Sequence, residues 1–77
     1  KPETAIFLAI EGIIEVYEER REKAKAIPHL ERIVEQNGDN QTVRNIVRFK
    51  LRDLYRETGR SDKAIEQLEL VIAENSR

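Results

Sequence analysis

Four arginines, Arg44, Arg48, Arg52 and Arg56, recur at every fourth residue, and Arg60 extends the series. At about 100° per residue, each four-residue step drifts roughly 40° around a helix, so the guanidinium groups form a slanting stripe. Such a stripe has the chemistry to grip carboxylates or phosphates bidentately. The competing reading is a solvated face paired with Glu11, Glu15, Glu18 and Glu19 of an earlier, acidic segment. Phe49 falls among the polar residues Asn45, Asp53 and Arg56, either as an aromatic anchor for a peptide or packed under arginine stems.

Other chemistry is scarce. His29 is the single histidine and has no Ser/Asp or Cys arrangement around it that would make a nucleophilic site. There is no cysteine, which excludes disulfides, thiolate metal sites and cysteine nucleophiles. The three glycines are isolated, so no phosphate-cradling loop exists, and the glutamates lack calcium-loop spacing. No enzyme activity and no cofactor are expected.

Composition bounds the rest. The 77 residues allow one small domain, residues 1–77. Fourteen basic against fifteen acidic residues give a net charge of −1, which supplies no global attraction to nucleic acid or an anionic membrane. No apolar run approaches the roughly 18–20 residues of a membrane span, so a cytoplasmic location without membrane contact is expected. Beginning at Lys1 without a methionine, the chain reads as a piece of something longer.

Twelve Glu, nine Arg, six Leu and six Ala against three Gly and two Pro favour helix. Pro2 or Thr4 opens a first helix whose stripe is Ala5, Leu8, Ala9, Ile13, Val16 and Tyr17. It should stop within Arg20–Lys23, where no glycine marks the boundary. A second helix begins near Lys23 or Ala24, tolerates Pro28 in its first turn, and buries Ala26, Ile27, Leu30, Ile33 and Val34. Asn37-Gly38-Asp39-Asn40 is a turn, with Gly38 suited to a left-handed helix end. The third helix runs from about Gln41 to Thr58 with Val43, Ile46, Val47, Leu51, Leu54 and Tyr55 inward, and Gly59 closes it. The fourth, capped by Ser61 or Asp62, buries Ala64, Ile65, Leu68, Val71 and Ile72 and frays at Asn75-Ser76-Arg77.

The chain matches itself at an offset of 38. Thr4 pairs with Thr42, Tyr17 with Tyr55, Glu19 with Glu57, Lys25-Ala26-Ile27 with Lys63-Ala64-Ile65, Leu30-Glu31 with Leu68-Glu69, and Asn37 with Asn75. These identities fall on matching helical faces, and a fixed period of this size marks a stacked helical repeat. The units are about 1–38 and 39–76. The same offset sets Ile6, Ile10 and Ile14 where the second unit has Arg44, Arg48 and Arg52, with Phe7 opposite Asn45. Helix one is therefore apolar beyond the arc its own pair needs, and Ile6, Phe7, Ile10 and Ile14 are the expected interface with a second copy, a flanking repeat or a partner helix.

The spaced residues Ile13, Tyr17, Ala26 and Leu30, and Leu51, Tyr55, Gly59, Ala64 and Leu68, resemble the packing positions of the tetratricopeptide repeat. Ala26-Ile27-Pro28-His29-Leu30-Glu31 is similar to the opening of that family's second helices. The period of 38 exceeds the family's usual 34 or so, consistent with a first helix one turn longer. Ile10 and Arg48 replace its aromatic anchor, Ile14 and Arg52 its small residue, and neither unit has the terminal proline. The resemblance implies an all-α fold of two stacked antiparallel helix–turn–helix units, a fragment of a right-handed solenoid. It also implies a protein-interaction module whose partner is a peptide or protein, acidic where the arginine stripe makes the contact. The alternative is an assembly unit that self-associates or continues a longer solenoid through helix one. Nucleic-acid binding is disfavoured by the acidic helix beside the arginines.

Overall fold

The computed structural model describes residues 1–76, and among them the chain is all-α, with four helices and no strand. Helix α1 spans Pro2–Glu19, α2 Ala26–Gln36, α3 Gln41–Glu57 and α4 Ser61–Asn75. Arg77, the last residue of the expected frayed end, lies outside the described residues. Pro2 lies in the first turn of α1, where its missing N–H has no intrahelical partner to lose, and Thr4 is inside the helix rather than capping it. Asn40 caps α3, its side-chain oxygen accepting from the Val43 N–H at 3.1 Å. The expected cap on α4 is corrected: Ser61 is already helical, and Arg60 holds the cap position without a side-chain hydrogen bond.

The break after α1 is sharp although no glycine marks it. Arg21 adopts a left-handed conformation, φ 57°, as Gly59 does 38 residues later at φ 79°. The backbone closes identically at both. The Glu22 N–H donates to the Tyr17 carbonyl at 2.8 Å, and the Arg60 N–H to the Tyr55 carbonyl at 2.7 Å. This is the six-residue Schellman closure, and it turns each pair of helices back on itself. Gly38 does not take the left-handed role expected of it. Asn37 ends α2 instead, its side-chain amide donating to the Ile33 carbonyl at 2.9 Å, and Asn75 repeats the contact on Val71 at 2.7 Å.

One local difference separates the units. Where α4 is helical from Ser61, the equivalent Lys23–Lys25 forms a short 3-10 turn before α2. Pro28 has no N–H for the carbonyl four residues back and its ring crowds that carbonyl, so the preceding turn tightens.

Contacts across the helices define their directions. Gln41 and Asn45, at the start of α3, meet Glu74 and Asn75 at the end of α4, so this pair is antiparallel. Glu3 receives a hydrogen bond from Asn40, Glu11 pairs with Lys50, and Lys23 bridges Glu18 and Glu57, so α1 and α3 run parallel, offset by about one repeat. Among the described residues α4 packs on α3 alone, while α1 packs on both α2 and α3. The result is an open slab, 40 × 31 × 14 Å, with α1 and α4 at its ends rather than closed into a bundle.

The core is Ile10, Ala26, Ile27, Leu30, Val34, Val43, Val47, Leu51, Leu54, Tyr55 and Ala64, with Ile6, Ile13, Ile14, Tyr17 and Ile33 packed partly buried against it. Helix α1 thus presents a different arc from the one expected. Ile10 is wholly enclosed, and Ile6 and Ile14 flank it, whereas Ala5, Leu8, Ala9 and Val16 face outward. Three isoleucines remove more apolar surface from water than two alanines with a leucine and a valine, and α3 lies alongside the isoleucine arc. In α4 only Ala64 and Gln67 are buried; Leu68 and Val71 are half-buried, and Ile65 and Ile72 are exposed. A helix with a single neighbour covers a narrow arc.

Candidate interaction surfaces

The arginine stripe is engaged within the chain. Arg48 reaches across to α4, its Nε and Nη2 donating to the two carboxylate oxygens of Glu74 at 2.9 and 2.7 Å. Its Nη1 donates to Oε1 of the buried Gln67 at 3.0 Å, which gives the amide oxygen a partner. Arg44 Nε lies 3.5 Å from the same glutamate. The Arg48 hydrogen bonds hold the Glu74 carboxyl below its ordinary range, against the opposing effect of burial. Arg52 and Arg56 both turn to Asp53, at 2.6 and 3.5 Å, and the Arg52 guanidinium lies 5.3 Å from the centre of the Phe49 ring. Phe49 is therefore the aromatic under an arginine, 41% exposed.

Two expectations change. The carboxylates that answer Arg44, Arg48, Arg52 and Arg56 are Glu74 and Asp53, not Glu11, Glu15, Glu18 and Glu19. The stripe's first two members face α4, while α1 meets Lys50 instead. Among the described residues each of the four guanidinium groups has a carboxylate partner within the chain. The candidate interface of Ile6, Phe7, Ile10 and Ile14 is also corrected. Ile10 is sealed in the core, Ile6 and Ile14 pack against it, and Phe7 is partly covered, with the Lys50 ammonium 5.5 Å from its ring centre.

The surface open to a partner is the other arc of α1. Leu8 is 63% and Val16 44% exposed, and Ala5 and Ala9 beside them are exposed too. Beside them is an open hollow of about 510 Å³, lined by Ala9, Gly12, Ile13, Val16, Tyr17, Arg20 and His29. His29 is fixed at its rim. Arg32 can only donate, so His29 Nδ1 accepts from it at 3.1 Å; the neutral ring then carries its proton on Nε2 and donates to the Tyr17 hydroxyl, also at 3.1 Å.

The repeat register gives this arc its meaning. Ala5, Ala9, Ile13, Val16 and Tyr17 stand where the second unit has Val43, Val47, Leu51, Leu54 and Tyr55, all buried. The α3 stripe is buried, whereas in its α1 counterpart Ala5, Ala9 and Val16 are exposed. At the opposite end, exposed Ile65 and Ile72 stand where the first unit has buried Ile27 and Val34.

No family model, curated protein or solved structure matches the chain. The surfaces are read from their own geometry. Among the described residues no cluster of His, Cys, Asp or Glu is arranged to hold a metal, and no helix is long and apolar enough to cross a membrane.

The outward arc of α1 escaped the sequence reading because periodicity marks both arcs as apolar. The available signal was the self-match, which pairs Val16 with Leu54 and Ala9 with Val47. Leu54 and Val47 are buried, whereas Val16 and Ala9 are exposed.

Proposed function

We propose that the chain is a protein–protein interaction module: two tetratricopeptide-like units stacked as a short solenoid fragment, which dock a helical protein surface on the outward arc of α1. The observation that carries this reading is the register relation between Val16 and Leu54: one side chain is 44% exposed, and the other, 38 residues on, is 2% exposed. Burying an exposed Leu or Val side chain contributes about 1.5–3 kcal/mol. Leu8 and Val16 together, with the alanines beside them, are a substantial driving force for a partner of complementary shape.

A photo-crosslinking amino acid at Gly12 tests the reading. A Cβ there meets nothing within 4 Å, so the position has room for a side chain to leave the helix. Irradiation in the host cell is expected to give a defined protein adduct, lost when Leu8→Glu is introduced. No protein adduct, or one indifferent to Leu8→Glu, removes the module reading.

A further inference from the structure

We infer that the chain associates head to tail with a second copy of itself, the α4 face of one copy covering the α1 stripe of the next. The inference rests on the module reading and names its partner. Within the chain, the junction between the two units is made chiefly by α2 lying on α3. Ile27 and Val34 are buried on α2, and between them Glu31 accepts a hydrogen bond from the Tyr55 hydroxyl of α3. The α4 helix carries Ile65, Glu69 and Ile72 at the matching positions, with Ile72 in place of Val34. Ile65 and Ile72 are 54% and 66% exposed there, free to cover another surface. The α1 stripe in turn repeats the α3 surface, Tyr17 included. Moving one copy along by a single two-unit step brings Ile65 and Ile72 over Ala9 and Val16, and sets Glu69 where it can accept from Tyr17 as Glu31 does from Tyr55.

The arginine stripe sets the strength of this contact. Arg44, Arg48 and Arg52 stand where α1 has Ile6, Ile10 and Ile14, so the lesser, α1-to-α3 part of the internal junction has no apolar counterpart between copies. The Arg44 and Arg48 guanidiniums fold onto Glu74 and leave Ile65 and Ile72 uncovered. Association is therefore weaker than the internal junction and reversible. Because the two faces differ, the contact is heterologous and does not close after two copies.

Sedimentation velocity with three proteins tests it. For wild type, the weight-average mass is expected to rise with concentration past that of a dimer. Val16→Glu blocks the α1 face and Ile72→Glu the α4 face, and each alone is expected to be monomeric. Both positions are exposed in the single chain, so both variants should fold; unchanged melting by circular dichroism checks this, and Ile65→Lys substitutes for Ile72→Glu if it does not. Mixed in equal amounts, the two variants each retain one complementary face and should form a one-to-one dimer that goes no further. Three results overturn the inference: a wild-type monomer at the highest attainable concentration, an Ile72→Glu protein that still dimerises through α1 against α1, or a mixture that stays monomeric. A Gly12 crosslink to a different protein alongside a monomeric wild type leaves the module reading standing and removes the second copy as its partner.

Discussion

Tyr17 and Tyr55 close their helices with the same backbone hydrogen bond, 38 residues apart, yet the surroundings of their rings are opposite. The Tyr55 ring is 3% exposed and its hydroxyl donates to Glu31 on the preceding helical pair. Tyr17 is partly exposed, receives a hydrogen bond from His29, and borders the open hollow on α1. The pair shows in one side chain what distinguishes the covered unit from the uncovered one.

These are the only two tyrosines, and there is no tryptophan, so spectroscopy resolves them. Burial first, and the Glu31 carboxylate second, push the Tyr55 hydroxyl up to about 12. Its folded value thus exceeds the unfolded one near 10. The associated stability is fully present below pH 10 and is lost as pH rises through 12. Ultraviolet titration should show one phenol ionising only at about that pH, together with unfolding. The Glu31→Gln protein should ionise it earlier, since the carboxylate's contribution is gone. Tetranitromethane should modify Tyr17 well before Tyr55.

Glu74 has its folded value lowered, chiefly by the Arg48 hydrogen bonds. Its contribution is present above the ordinary carboxylate range and is lost as pH falls through the lowered value, so it disappears on the acid side of pH 4.5. Arg48→Ala leaves the carboxylate and the Gln67 amide without this partner and should cost about 2 kcal/mol at neutral pH, in the range for hydrogen bonds to charged groups. Urea melts of wild type and Arg48→Ala at neutral pH and at pH well below 4 should show the difference shrinking on acidification. An equal difference at both would assign the loss to packing of the arginine stem.

Arg21 holds a left-handed backbone that costs an L-residue roughly 1–2 kcal/mol. Glycine there relieves the strain but adds unfolded-state entropy of about 0.5–1 kcal/mol. Arg21→Gly should therefore stabilise slightly, by up to about 1 kcal/mol. Gly59→Ala, at φ 79°, should destabilise by about the same amount. Thermal melts of the two variants are expected to move in opposite directions.

The two arcs of α1 separate cleanly by mutation. Ile10 is fully buried, so Ile10→Ala should cost about 2–5 kcal/mol, comparable with the whole stability of a chain this size. Leu8→Ala, on the exposed arc, should stay within about 0.5 kcal/mol in the monomer. The same contrast holds on the second helices: Leu30 is fully buried and Leu68 half-buried, so Leu30→Ala should be the costlier. Denaturant midpoints of the four variants check the assignment.

The helices and the repeat were legible in the chain because they depend on local rules. Period-3.6 apolar spacing, the Asn37–Asn40 turn, Pro2, Pro28 and Gly59 act over a few residues, and the 38-residue self-match needs only the sequence. The same rules hid the turn at Arg21, since the backbone there is held left-handed by the closure to Tyr17 and not by a glycine. Which arc of α1 turns inward was decided only by tertiary structure. Both arcs are apolar and helical in period, and the choice rests on where α3 lies and on the greater area buried by Ile6, Ile10 and Ile14. The partners of the arginine stripe were decided in the same way. Charge counts favoured the glutamates of α1, but the antiparallel packing of α3 on α4 set Glu74 within reach of Arg44 and Arg48. Side-chain distance, which the sequence does not contain, settles which opposite charges meet.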